Sequence, residues 1–146
     1  MRWELDVVGS GRCTADWKRR ADALGLTPHC RWHGSVPRDE AVAILARAHV
    51  FVVTSLKDLT STVLLEALSQ GVPVICLDHC GFSDVVTPDC GIKVPVTTPR
   101  AVSAALADAI RTLGRDEALR RRLAQGALQR SGAYSWSSKV AMLNAI

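Results

Sequence analysis

No stretch of this 146-residue chain approaches the roughly 18 consecutive apolar positions that a membrane-spanning helix needs, which excludes a helical span. A cysteine framework is missing too. Five cysteines, an odd number scattered over positions 13, 30, 76, 80 and 90, are not the pattern of a small disulfide-stapled secreted domain and read as reduced thiols. Internal repeats, low-complexity tracts and flexible linkers are absent as well. There is little excess of one charge: 18 Lys and Arg against 14 Asp and Glu leave +4. That mild basic bias suits anionic ligands such as phosphates, or an acidic membrane surface, and does not single out nucleic acid. The opening residues, Met1-Arg2-Trp3-Glu4-Leu5-Asp6, pass directly into strand-like sequence without the charged head, apolar segment and cleavage site of a secretory leader, so a cytoplasmic chain is expected.

What is present is core-forming sequence, 48% hydrophobic and 22% charged, of a length that suits one domain of on the order of 100–200 residues. Short apolar runs at 3–8, 30–34, 50–54, 73–77 and 91–94 read as strands. The third and fourth are apolar throughout, as expected of strands covered on both faces. Helical patterns at 14–24, 38–48, 61–70 and 82–87 separate them. This alternation predicts an α/β fold, a Rossmann-like parallel sheet flanked by helices. From Pro95 onward the pattern changes to three consecutive helices, at 99–113, 116–130 and 136–146, with Gly114 and the Ser131-Gly132 pair as expected stops. Arg120-Arg121-Arg122 lies between Leu119 and Leu123 at helical spacing and reads as a solvated helix face.

In open parallel sheets ligands bind beyond the carboxyl ends of the strands, which directs attention to the loops there. Gly9-Ser10-Gly11 follows the first strand and leads into a helix, but Thr14 stands where a dinucleotide fingerprint has its third glycine; a tight turn and a binding role both remain open. Gly34-Ser35-Val36-Pro37-Arg38 ends the second strand and opens a helix with Asp39 and Glu40, acids suited to its positive end. The third loop runs from Ser55 to Glu66. Thr60 and Ser61 are good N-caps, and the first free N–H groups of the helix they open make a ready phosphate site. Within that helix Val63, Leu64, Ala67 and Leu68 form an apolar face, and Thr62, Glu66, Ser69 and Gln70 a polar stripe. A carboxylate at Glu66 is placed to accept both hydroxyls of a ribose, or simply to face solvent. The fourth loop, Asp78-His79-Cys80-Gly81-Phe82-Ser83-Asp84, gathers acid, imidazole and thiol, yet it lacks a second pair of zinc ligands, and no metal is expected.

The loops form an ordered series: Val7-Val8-Gly9-Ser10-Gly11, Gly34-Ser35-Val36, Ala48-His49-Val50-Phe51-Val52, Asp58 to Glu66, Ala67-Leu68-Ser69-Gln70-Gly71-Val72-Pro73-Val74-Ile75, then Gly81, Asp84 and Gly91. In this order and spacing, residues 3 to about 96 resemble the C-terminal, donor-binding domain of retaining glycosyltransferases of the GT-B fold, the group 1 (family 4) class. The family's Glu-x7-Glu motif falls on Asp58 and Glu66. The resemblance implies that Glu66 binds the nucleotide ribose and Asp58 the hydroxyls of the transferred sugar. It implies that the backbone at Ser61, Thr62 and Val63 holds the diphosphate, that the backbone near Val36 meets the base, and that Gly9 and Gly11 line the cleft. Asp58 is one methylene shorter than the usual Glu, and Leu59-Thr60-Ser61 replaces a commoner segment with glycine and an aromatic. His49 stands where Asp is frequent and Asp84 where Glu is frequent.

The same resemblance implies that a first βα unit, with the Arg and Lys that grip the diphosphate, and an N-terminal acceptor-binding domain belong to the complete enzyme. The chain is then a fragment or separately encoded half, inactive alone, and the helix at 136–146 is the one that crosses back to the other domain. The expected donor is a UDP- or GDP-linked sugar, with no cofactor, no nucleic acid, and peripheral contact with the inner face of a membrane compatible with the basic charge. Two other readings stay open: a nucleotide-sugar epimerase of the same architecture, and a non-catalytic nucleotide-binding subunit.

Overall fold

The computed structural model describes residues 3–57 and 61–144, with the side chains of Lys139, Ala141 and Met142 left aside. The chain divides into two compact units, Met1–Ile44 and Leu45–Ile146.

The first unit begins with β1 (Leu5–Val8), followed by α1 (Thr14–Ala23), a 3-10 turn (Thr27–His29), β2 (Cys30–Gly34) and the start of α2 (Arg38–Ala46). β1 and β2 are parallel, with Leu5 opposite Cys30 and Val7 opposite Trp32. Strand alternation puts those apolar residues on one face and Asp6 and His33 on the other, where the imidazole Nε2 and the carboxylate are 2.7 Å apart. Lys18 of α1 stands over the Trp32 ring. No residue of β1, α1 or β2 is fully buried. The strand expected at 3–8 starts at Leu5; Trp3 instead stacks on His29.

The second unit carries a parallel ladder in the order β3 (Phe51–Val53), β4 (Val74–Asp78), β5 (Gly91–Pro95). α3 (Thr62–Ser69) connects the first two strands and α4 (Phe82–Val85) the second pair. β4 lies between neighbours and is buried on both faces, as its unbroken apolar sequence requires. Val74 and Cys76 join Leu64, Ala67, Leu68, Phe82 and Ala127 on one side. Ile75 and Leu77 join Ala109, Leu113 and Leu123 on the other. β3 is likewise covered on both faces, Phe51 and Val53 packing against the first cluster and Val52 against the second, but its residues are only half-buried, because β3 has one neighbour in this ladder among the described residues.

Three helices complete this unit: α5 (Pro99–Arg115), α6 (Glu117–Gly132) and α7 (Trp136–Leu143). Thr98 caps α5 by accepting from the Ala101 N–H, and Pro99 occupies the first turn, where its missing N–H costs nothing. α5 runs through Gly114 rather than stopping there. Asp116 ends it and at once caps α6, its carboxylate accepting from the Leu119 N–H at 2.8 Å. The second expected stop holds: α6 ends at Gly132, with Ala133 as its C-cap. Arg121 and Arg122 are exposed, and Arg121 pairs with Glu117, whereas half-buried Arg120 donates to the Leu113 carbonyl at the end of α5. Trp136 on α7 is 85% exposed. Among the described residues no helix is long and apolar enough to cross a membrane.

Candidate functional site

In the first unit the loops after β1 and β2 are tied to each other. The Gly9 N–H donates to the Gly34 carbonyl at 2.7 Å, and the Ser10 and Ser35 hydroxyls are 2.8 Å apart. Gly9 has φ +106 and Gly34 φ +68, backbone shapes that a side chain resists, so both glycines are explained by the turn geometry. Gly11 has no such constraint, and a methyl group there would meet open space. Its N–H donates to the Thr14 hydroxyl while its carbonyl accepts from the Thr14 N–H, which starts α1. Gly9 and Gly11 line a cavity of about 260 Å³ with Val7, Val8, Thr14, Trp17 and Trp32. Val36 follows in the neighbouring loop, half-buried and outside that cavity's lining.

In the second unit α3 leaves the carboxyl edge of the β3–β4–β5 ladder. Ser61 occupies its N-cap position in extended backbone, but its hydroxyl makes no capping bond. The opening N–H groups of a helix have no partner within it. The turn at Thr62 and Val63 therefore presents donors and the positive end of the helix dipole. Glu66 lies about one turn further along, half-buried, between exposed Thr62 and exposed Ser69 on the polar stripe. Leu64, Ala67 and Leu68 point into the core as expected, whereas Val63, assigned to that face by spacing, is 41% exposed. Asp58 and Thr60 lie outside the described residues.

The loop after β4 leaves the same edge. Asp78 ends the strand, His79 and Cys80 are exposed, and Cys80 takes φ +52, a left-handed shape unusual for a residue with a side chain. The Ser83 hydroxyl and the Lys93 ammonium hold the Asp78 carboxyl below its usual range. Lys93 Nζ lies 3.2 Å from Asp78 Oδ1 and donates to the Ser83 carbonyl at 2.9 Å. From α6, Arg130 donates to the carbonyls of Val85 (2.9 Å) and Asp84 (2.5 Å). Lys93 and Arg130 escape sequence reasoning; the one available signal is a lone lysine inside the apolar run of β5. Burial pushes the Cys76 thiol up to about 11, partly offset by Lys93, so it stays protonated and unreactive at neutral pH. Among the described residues no group of three His, Cys, Asp or Glu side chains is arranged to hold a metal ion.

The family model for glycosyl transferases group 1 matches residues 1–130. Phosphatidyl-myo-inositol mannosyltransferase of Mycobacterium leprae is 31% identical over 135 residues, which is 92% of this chain and 34% of that protein. The pneumococcal O-GlcNAc transferase GtfA, solved with UDP and GlcNAc, superposes with a TM-score of 0.83 at 16% identity, covering 97% of this chain and 28% of that one. The C-terminal domain of a glycosyl transferase group 1 family protein from Francisella tularensis gives 0.76 at 21% identity, covering 90% of this chain and 69% of that one. The chain spans about a third or less of the length of the curated relatives it matches. The fold is thus that of the C-terminal half of GT-B glycosyltransferases, and the chain belongs to the glycosyl transferases group 1 family.

Proposed function

We propose that this chain binds a nucleoside diphosphate sugar and that, completed by an acceptor-binding domain, it transfers the sugar with retention of anomeric configuration. The observation that carries the reading is Glu66: a half-buried carboxylate one turn from the start of α3, where the Ser61 hydroxyl makes no capping bond, at the carboxyl edge of a parallel ladder. Glu66 takes the ribose diol, and the N–H groups at Thr62 and Val63 face the diphosphate. As the bond to the sugar breaks, negative charge grows on the departing phosphate, and donors already aimed there stabilise it without reorganising. The UDP in the GtfA structure supports a uridine-linked donor as the first to try. Asp58 contacts the sugar, the backbone near Val36 meets the base, and no metal takes part.

The need for a further domain is supported by the first unit itself. Trp3, Leu5, Val8 and Trp17 are exposed, and β1, α1 and β2 bury no residue fully, too little for a self-sufficient core. We assign the missing cover to a preceding βα unit and an N-terminal domain, which also supply the acceptor site.

Calorimetric titration of the folded chain with UDP, GDP and ADP tests the reading, with heat expected from at least one. No heat from any of the three removes it. Glu66→Ala should weaken whichever nucleotide binds by about 1–3 kcal/mol, since it leaves ligand hydroxyls unpaired. Asp58→Ala should leave nucleotide binding intact and reduce discrimination between the free nucleotide and its sugar conjugate.

A further inference from the structure

Val53 of β3 pairs with Cys76 of β4, so the chain leaving β3 toward α3 and the chain leaving β4 at Asp78 depart side by side from one edge of the ladder. The second of these segments is anchored by side chains at both ends. Lys93 reaches across from β5 to the Asp78 carboxylate and the Ser83 carbonyl. Arg130 fastens the far end through the carbonyls of Asp84 and Val85. Between the two anchors stand His79 and Cys80, exposed, with Cys80 in the left-handed region at φ +52.

The fold alone does not ask for this. Position 93 lies in a strand whose neighbours Gly91 and Val94 are buried, and an apolar side chain would fill it without drawing an ammonium group, here 28% exposed, partly out of water. What the lysine adds is the shape of the β4–α4 loop.

We infer that Lys93 is a positioning residue: through Asp78 and Ser83 it sets the β4–α4 loop as a second wall of the donor site, beside the start of α3. His79 and Cys80 form the face of that wall. This rests on the nucleotide-sugar reading above and adds to it a second element that meets the ligand.

The test uses the whole chain and two readouts. Iodoacetamide labelling of Cys80, read by peptide mass spectrometry against exposed Cys13 as internal reference, reports the loop. Calorimetry with UDP, GDP and ADP reports the site. In Lys93→Met and in Asp78→Asn the Cys80 labelling rate relative to Cys13 should change, and affinity for the bound nucleotide should fall about fivefold, the low end of coupling between neighbouring elements. The thermal midpoint should stay within a few degrees, and Lys93→Arg should recover much of the loss. The wild-type chain should also show slower Cys80 labelling when the nucleotide is bound. Unchanged Cys80 labelling in both variants overturns the clamp. Altered labelling with unchanged affinity overturns the wall, as does a loss of affinity that follows a collapse in thermal midpoint and is not recovered by arginine. If Glu66→Ala loses affinity and Lys93→Met does not, this inference falls and the nucleotide reading stands. If wild type binds none of the three nucleotides, both fall.

Discussion

Gly126 in α6 shows how a single hydrogen can decide packing. A methyl group built on it would lie 1.8 Å from the Asp89 carbonyl oxygen, so α6 approaches the loop before β5 more closely than any other residue allows. Gly91 is similar: a methyl group there would sit 2.2 Å from the Val74 carbonyl oxygen on the neighbouring strand. Neither obstacle is a flexible side chain that could swing aside. Gly126→Ala should therefore destabilise the chain by about 3 kcal/mol, the upper range for overpacking, measured by urea unfolding. Gly11→Ala meets open space and should be close to neutral. The cysteines divide the same way. Cys13 and Cys80 are exposed and should react quickly with a thiol reagent, whereas buried Cys76 and Cys90 should react only after unfolding. Because burial raises the Cys76 thiol from 9.0 to about 11, the unfolded chain loses that proton first as pH rises; stability should fall between those two values.

Among the elements, the acid side of the pH profile belongs to the link between β4, β5 and α4. Asp78 is lowered from its ordinary 3.8 by the Ser83 hydroxyl and the Lys93 ammonium. A carboxyl that ionises more readily when folded contributes stability above its unfolded value and loses it as pH falls through the folded one. Thermal midpoints measured downward from pH 5 should drop less steeply in Asp78→Asn than in wild type. Element boundaries also show what the sequence makes legible. Every strand and helix core was readable from period and punctuation, and so was the site helix with Glu66 on its polar side. The failures depend on particular partners that a periodic pattern does not reveal. Gly114 does not stop α5, because Asp116 serves as both end and beginning and Arg120 satisfies the Leu113 carbonyl. The exposure of Val63 and the edge position of β3 depend on which neighbours are present, and periodicity carries no information about that. Lys93 and Arg130 act through contacts 10 and about 45 residues away.

Across the molecule the two units differ in how far each is built. The second encloses β4 between two apolar clusters and has the ingredients of independent stability. The first has a single parallel pair, α1 with no buried residue, the start of α2 with Ile44 buried, and aromatic rings at its surface, among them Trp17 at 58% exposure. Local opening free energies follow buried apolar contact, so the two should separate in native-state hydrogen exchange. Amides of β4 should exchange only through global unfolding, with denaturant dependence matching that of the whole chain. Amides of β1 and β2 should exchange orders of magnitude faster at zero denaturant, through opening that leaves the second unit intact. Supplying the proposed βα unit and N-terminal domain should slow β1 and β2, whose residues are not fully buried in the chain alone, and leave β4, already buried on both faces, nearly unchanged. Equal protection of the two units in the chain alone would mean that the first already holds itself together and needs no further cover.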